Sequence, residues 1–123
     1  MDNVNNLSPS VLAFMGDAVY ELYVRKHLSS VNRPSGDLHA LSVELVRASA
    51  QAKAFKIIEN DLSEEELAVF KRGRNFHTSN VPKSATASEY HTATGLECIF
   101  GFLYLTDNTA RLDFLFSQIL ENL

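Results

Sequence analysis

Apolar residues recur at helical spacing along most of the chain, and the punctuation between these runs divides it into helices. Leu7-Ser8-Pro9 opens the first. Ser8 can cap it, Pro9 suits the first helical position, and Leu7 can pack on Leu12 as a hydrophobic staple. Leu12, Met15, Val19 and Leu22 form a core stripe in a helix predicted to run to about Leu28. Phe14, Asp17, Glu21 and Arg25, spaced three, four and four apart, stack along another line of the same helix. Asn32 to Gly36 reads as a turn, after which Leu38, Leu41, Leu45, Ala48, Ala52 and Phe55 keep a helical period as far as Ile58. One long helix or two in succession fit that pattern equally. Leu62 to Leu67 repeats the staple and adds a capping box, Ser63 three residues before Glu66, so a further helix starts there and ends near Gly73. Asn75 to Ala87, with Pro82 among many Ser, Thr and Asn residues, reads as a long loop of the kind that often carries function. A strongly apolar helix from about Ser88 to Leu105 follows, and Asp107-Asn108 leads into a last one with Leu112, Leu115, Ile119 and Leu123 on one face. No strand alternation appears, so the expected fold is all-α, in a single domain spanning residues 1–123.

Composition narrows the class. With 46% hydrophobic and 21% charged residues the chain reads as a globular protein, and no apolar run approaches the roughly 20 residues of a membrane span. The start, Met1 to Leu7, lacks the basic and then apolar residues of an export signal, so a cytoplasmic location is expected. Cys98 is the only cysteine and its neighbours are apolar; it can build neither an internal disulfide nor a cysteine-based zinc site, and core packing is its expected role. The formal charge of −4 argues mildly against nucleic acid as a partner, but the charges are segregated. Residues 59–66 hold five acids, whereas Lys71, Arg72, Arg74, His77 and Lys83 follow with no acid among them. Together with Asn75 this run offers phosphate-binding groups on a helix end and a loop. Its alternative is an ordinary solvated face complementing the helix macrodipole.

Two carboxylates stand in apolar surroundings: Asp17 within Val11 to Val19, and Glu97 within Gly95 to Gly101. An acid removed from water needs a cation or hydrogen-bond donors to offset the cost. Gly16, Gly95 and Gly101 would each weaken a helix interior by about 1 kcal/mol relative to Ala, which makes sense where two backbones must cross closely. A crossing of that kind could bring Asp17 beside Glu97, and two carboxylates with room for water and phosphate suit Mg²⁺. Glu21, one turn after Asp17, could extend the metal shell or pair with Arg25. The competing reading pairs Asp17 and Glu97 with arginines such as Arg25 or Arg47, and spacing alone does not decide. His39 reads as structural, and the four histidines show no metal-ligand spacing.

These residues resemble a known family. Phe14-Met15-Gly16-Asp17-Ala18-Val19 resembles the signature helix of ribonuclease III enzymes, and Gly95-Leu96-Glu97-Cys98-Ile99-Phe100-Gly101 resembles their second acidic motif. The finer resemblance is to the Mini-ribonuclease III subfamily, through Gly16 to Arg25, Asp37-Leu38-His39, Ser49-Ala50-Gln51-Ala52 and Lys71-Arg72-Gly73-Arg74-Asn75, in that order over nearly the whole chain. The resemblance implies the helical ribonuclease III endonuclease-domain fold as a homodimer, with two sites facing one RNA duplex and no double-stranded-RNA-binding domain within residues 1–123. It implies Mg²⁺-dependent hydrolysis, with Mn²⁺ as a substitute, leaving 5′-phosphate and 3′-hydroxyl ends. Asp17 and Glu97 would be the catalytic metal-binding pair, with Glu21 a further candidate ligand. Lys71, Arg72, Arg74, Asn75, His77 and Lys83 would contact RNA. It also implies trimming of precursor large-subunit (23S) ribosomal RNA with help from a ribosomal protein. Ser10, Ala13 and Thr94 stand where full-length ribonuclease III enzymes carry further acids. Phe14 is a candidate interface aromatic. Two other classes stay open on the residues: a helical module that binds structured ribosomal RNA without cutting it, and a metal-dependent nucleotide pyrophosphohydrolase.

Overall fold

The computed structural model describes residues 3–76 and 85–123. Every regular element among them is helical: α1 (Pro9–Leu28), α2 (Ser35–Val46), α3 (Ala48–Ile58), α4 (Glu64–Arg74), α5 (Ala87–Leu105) and α6 (Thr109–Glu121), with short 3-10 turns at Val4–Asn6 and Glu59–Asp61. No helix among the described residues is long and apolar enough to cross a membrane.

Local chemistry sets the boundaries. Ser8 Oγ accepts from the Val11 N–H and Pro9 occupies the first turn of α1. The Ser63 box is complete: its hydroxyl accepts from the Glu66 N–H at 3.1 Å, and Glu66 Oε1 accepts from the Ser63 N–H at 2.8 Å. Thr86 and Glu89 make a second box that starts α5. The helical period from Leu38 to Ile58 is two helices, because Arg47 takes an extended conformation (φ −63°, ψ 156°) between α2 and α3. At the far end of α5, Asp107 adopts a left-handed conformation (φ 60°), its N–H bonding Tyr104 and that of Asn108 bonding Leu103.

α5 is the axis of the fold, packed chiefly against α1, then α4 and α3. It is apolar around most of its circumference, and Leu96, Cys98, Ile99, Phe100, Phe102 and Leu103 are all buried. Tyr20 of α1 meets Phe100 edge-on at 5.0 Å, and Phe55 of α3 stacks on Phe70 of α4 at 3.8 Å. The core face of α1 is Leu12, Gly16, Val19, Tyr20, Val24 and Leu28. Met15 is half-buried, and Leu22, expected in the core stripe, is 62% exposed on the opposite side. Leu112, Leu115 and Ile119 of α6 are buried, whereas Leu123 lies past the helix end and is exposed.

Glycines set the helix spacing. A Cβ on Gly16 would overlap the carbonyl of Glu97, and one on Gly101 would overlap the carbonyl of Leu12, so α1 and α5 touch backbone to backbone. On the other side of α5, Gly95 leaves room for the Phe70 ring, and Gly73 of α4 abuts the Gly95 Cα and the Cys98 sulfur. Cys98 is buried with its thiol donating to the Pro9 carbonyl at 3.2 Å, and burial pushes that thiol up to about 12, in keeping with core packing.

One ion pair ties α6 to α4. Arg111 Nε and Nη2 donate to the two oxygens of Glu66 at 2.7 and 2.8 Å, and Nη2 also reaches the Asp61 carbonyl. Burial pushes the Glu66 carboxyl up, but the Arg111 bonds and charge, with the Ser63 N–H, outweigh it and hold the group below the usual carboxylate range.

Two stability predictions follow from these contacts. Gly16→Ala is expected to cost about 3 kcal/mol, because neither backbone at the crossing can retreat. Gly36→Ala, where a Cβ would meet nothing within 4 Å, should instead stabilise by roughly 0.5 kcal/mol. Urea unfolding compares them. Arg111→Ala is expected to cost about 3 kcal/mol near neutral pH. A carboxyl held low in the fold contributes stability above its unfolded pKa and loses it as pH falls through the folded one, so the gap between wild type and Arg111→Ala should close in acid. Unfolding followed between neutral pH and about pH 3, below the unfolded carboxylate range, reads that closure.

Candidate active site

The α1–α5 crossing fixes where the two apolar-context acids meet. Asp17 follows Gly16, and Gly16 lies on the backbone of Glu97, so both carboxyls emerge at the rim of the same contact. They share a cavity of about 320 Å³ lined by Ser10, Ala13, Phe14 and Asp17 from α1, Tyr90, Thr94 and Glu97 from α5, and Phe76 just past α4. Ser10, Ala13, Phe14 and Asp17 fall on one helical face, as do Tyr90, Thr94 and Glu97. The neighbouring surface depressions differ chemically. One of about 310 Å³ between α1 and α2 has no acid in its lining, and one of about 340 Å³ between α1 and α6 has only Asp113.

Asp17 is solvent-exposed while Glu97 is half-buried. Burial, then the charge of Asp17, pushes the Glu97 carboxyl up to about 8, and a hydrogen bond shared with Asp17 acts the same way. A hydrogen bond from Gln51 opposes them. Neither acid has an ion pair with Lys or Arg among the described residues. Arg25 is engaged elsewhere, 3.6 Å from Glu21 on the surface of α1. Glu21 is thus placed beside Arg25 and is not in the lining of the cavity.

The donor set fits a hard divalent cation bound by few protein ligands. Two carboxyls abut with no Lys or Arg ion pair to either among the described residues, and hydroxyls of Ser10 and Thr94 stand nearby. Among the described residues no group of three or more His, Cys, Asp or Glu could enclose an ion, so most positions around one would fall to water or substrate, the arrangement Mg²⁺ tolerates.

The basic run ends at this cavity. Lys71, Arg72 and Arg74 are exposed on the last turn of α4 and Asn75 just past it, and the next residue, Phe76, is part of the lining. Not all of the run is free to meet a ligand: Arg72 Nη2 donates to the Leu7 carbonyl at 2.8 Å, and Arg74 lies over the Phe70 ring and bonds Asn75. His77 and Lys83 lie outside the described residues.

This geometry coincides with a family. A model of the ribonuclease III domain matches residues 10–108, which takes in the whole cavity lining. The chain belongs to the ribonuclease III family. Within that family it is 46% identical over 112 residues to a Mini-ribonuclease 3 of Thermoanaerobacter sp. (strain X514), covering 90% of this chain and 79% of the relative. It is 38% identical to a Mini-ribonuclease 3 of Streptococcus pneumoniae, covering 98% and 97% of the two chains. A Fusobacterium nucleatum protein solved by X-ray crystallography superposes with a TM-score of 0.89 at 32% identity, over 99% and 98% of the two chains. The fold is thus the six-helix ribonuclease III domain, and the protein is a ribonuclease III-type double-strand endoribonuclease of the Mini-ribonuclease 3 kind.

Sequence reasoning missed three features of this ribonuclease III site. Phe76 was readable only as part of a loop, and Tyr90 only as an early residue of the apolar helix. Gln51 had a signal: it is a polar residue at the spacing of the apolar positions Ala54, Phe55 and Ile58, and it is buried with them.

Opposed carboxylates without a cation burden the fold. Glu97→Gln is therefore expected to raise the thermal unfolding midpoint of the protein in EDTA at neutral pH, even though it removes a functional group. A midpoint at or below that of wild type would count against the repulsive geometry.

Proposed function

We propose that this chain hydrolyses both strands of double-stranded RNA as a cytoplasmic homodimer, with Mg²⁺, or Mn²⁺ in its place, held by Asp17 and Glu97. The observation that carries the reading is their meeting: acids eighty positions apart in sequence share one cavity, and neither forms an ion pair with Lys or Arg among the described residues. An ion bound there would supply Lewis-acid activation of the phosphodiester and of water. The chain's own residues do the rest. Asp17 and Glu97 would hold the ion, the Ser10 hydroxyl offers a hydrogen bond to water or phosphate at the wall, and the Thr94 hydroxyl, which donates to the Tyr90 carbonyl, can accept one from water. Lys71 and the Asn75 amide, with His77 and Lys83 and the N–H groups of Arg72 and Arg74 that their internal bonds leave over, bind phosphates and steer the duplex. Hydrolysis leaves 5′-phosphate and 3′-hydroxyl ends. A-form RNA is read through shape, phosphates and 2′-hydroxyls, which matches a short basic segment beside an open cavity.

Dimerisation is supported by an apolar strip on α1. Val11, Phe14, Ala18 and Leu22 are all exposed, with Phe14 at 81%, and their spacing of three, four and four places them in one line. Phe14 also lines the cavity, so a twofold axis beside this strip would set two sites near each other, as cutting both strands requires. The precursor 23S ribosomal RNA substrate and an assisting large-subunit ribosomal protein extend from the Mini-ribonuclease 3 resemblance alone.

Incubating the protein with a labelled duplex, and with each strand alone, in Mg²⁺ or EDTA tests the activity. Only the duplex with Mg²⁺ should be cut. Asp17→Asn should lower the rate at least about a hundredfold, the scale of losing one electrostatic contributor to a transition state, while the protein stays folded. Retained cutting by that variant would remove the assignment, and binding of duplex without any cutting would make the chain a non-catalytic RNA-binding module. Sedimentation is the separate test of the dimer: wild type should run as a dimer and Phe14→Asp as a monomer. Mapping cut ends on total cellular RNA identifies the substrate.

A further inference from the structure

Behind the cavity, and outside its lining, lies the amide of Gln51. It is 3% exposed, on α3 among Ala54, Phe55 and Ile58. Its Nε2 donates to the Val46 carbonyl at 2.9 Å and to Glu97 Oε2 at 3.5 Å. Its Oε1 is buried with no partner.

The location has a local cause. Arg47 ends α2 in an extended conformation, leaving Val46 in the last turn of that helix, where carbonyls have no intrahelical donor. Gln51, in the first turns of α3, turns one N–H back to that carbonyl and has a second N–H to spend. That second N–H points at Glu97 across the α3–α5 contact. Leaving Oε1 buried without a partner costs about 1–3 kcal/mol. Capping the Val46 carbonyl uses only one of the two N–H groups, and the other is the one that meets Glu97.

We propose that Gln51 is the positioning residue for Glu97. It holds one carboxylate oxygen at the back of the cavity and leaves the other turned toward Asp17, presetting the two-acid geometry that a divalent cation takes. At 3.5 Å the contact is at the outer limit for such a bond, as is common in sites without substrate. Residues that orient a ligand from behind change metal affinity about 10- to 100-fold when lost. The proposal rests on the metal-dependent reading given above.

The test is Mn²⁺ binding to the RNA-free protein, read by electron paramagnetic resonance of the free ion, for wild type, Asp17→Asn, Gln51→Met and Gln51→Asn. Gln51→Met, which keeps the length and loses both N–H donors, is expected to weaken Mn²⁺ about tenfold. Gln51→Asn, milder for folding, draws the amide back by one methylene and should weaken it in the same direction. In cleavage assays the Gln51 deficit should shrink as Mg²⁺ is raised, whereas general loosening of the fold would depress the rate at every Mg²⁺ concentration. If the folded Gln51 variants bind Mn²⁺ as tightly as wild type while Asp17→Asn does not, the positioning role is overturned and the metal site stands. If wild type binds no Mn²⁺, or Asp17→Asn binds it equally well, the metal site falls and the positioning role with it.

Discussion

Where α1 crosses α5 there is no space for a single Cβ at Gly16 or Gly101, and the two helices touch through their backbones. Helices can do this cheaply because their backbone polar groups are already paired within each helix. The close approach has two effects at once. It brings the long α5 into the middle of the molecule, where α3 and α4 can cover its other sides. It also leaves the side chains beside the glycines nowhere to go but outward from the contact, and two of those are Asp17 and Glu97. The acid pair is a by-product of this close packing, which fixes the backbone from which both side chains start.

Two glutamates show how the same side chain can be satisfied within the fold or left facing another acid. Glu66 has a full set of partners: the Ser63 N–H on one oxygen and Arg111 on both. Its charge is held, and the result is a clamp between α4 and α6. Glu97 has one long N–H from Gln51 and a second acid in front of it. Its charge is resisted. A buried acid whose partners all favour ionisation has nothing left to offer a ligand, whereas one facing another acid is unfinished without a cation. The difference lies in the surroundings, since both residues sit in helices and both are largely withdrawn from solvent.

Much of this could be read from the chain because its causes are local. Ser8 and Pro9, and Ser63 with Glu66, announce helix starts through contacts within four residues, and the structure places α1 and α4 accordingly. Asp17 and Glu97 were visible as acids in apolar runs, and the glycines beside them signalled a close crossing. Features with distant causes were not legible. Glu66 read as one more residue of an exposed acidic cap, because its partner Arg111 lies forty-five positions on. The break at Arg47 leaves no mark in the period of Leu38, Leu41 and Leu45. Leu22 was assigned to the core from spacing that fits either side of α1. The significance of Ser10, Ala13 and Thr94 came from resemblance to a family, not from any physical pattern of their own.

The misplacement of Leu22 has a physical source that bears on function. α1 is apolar around most of its circumference, so periodicity alone cannot say which side faces in. At about 100° per residue the helix divides into three sectors. Leu12, Gly16, Val19 and Tyr20 face α5; Ser10, Ala13 and Asp17 face the cavity; Val11, Ala18 and Leu22 face outward. Phe14 stands on the boundary between the last two, lining the cavity while remaining almost wholly exposed. Whatever surface covers the apolar strip must therefore reach the edge of the acid site. On this helix the exposed apolar strip and the acid cavity are neighbours separated by one aromatic ring, Phe14.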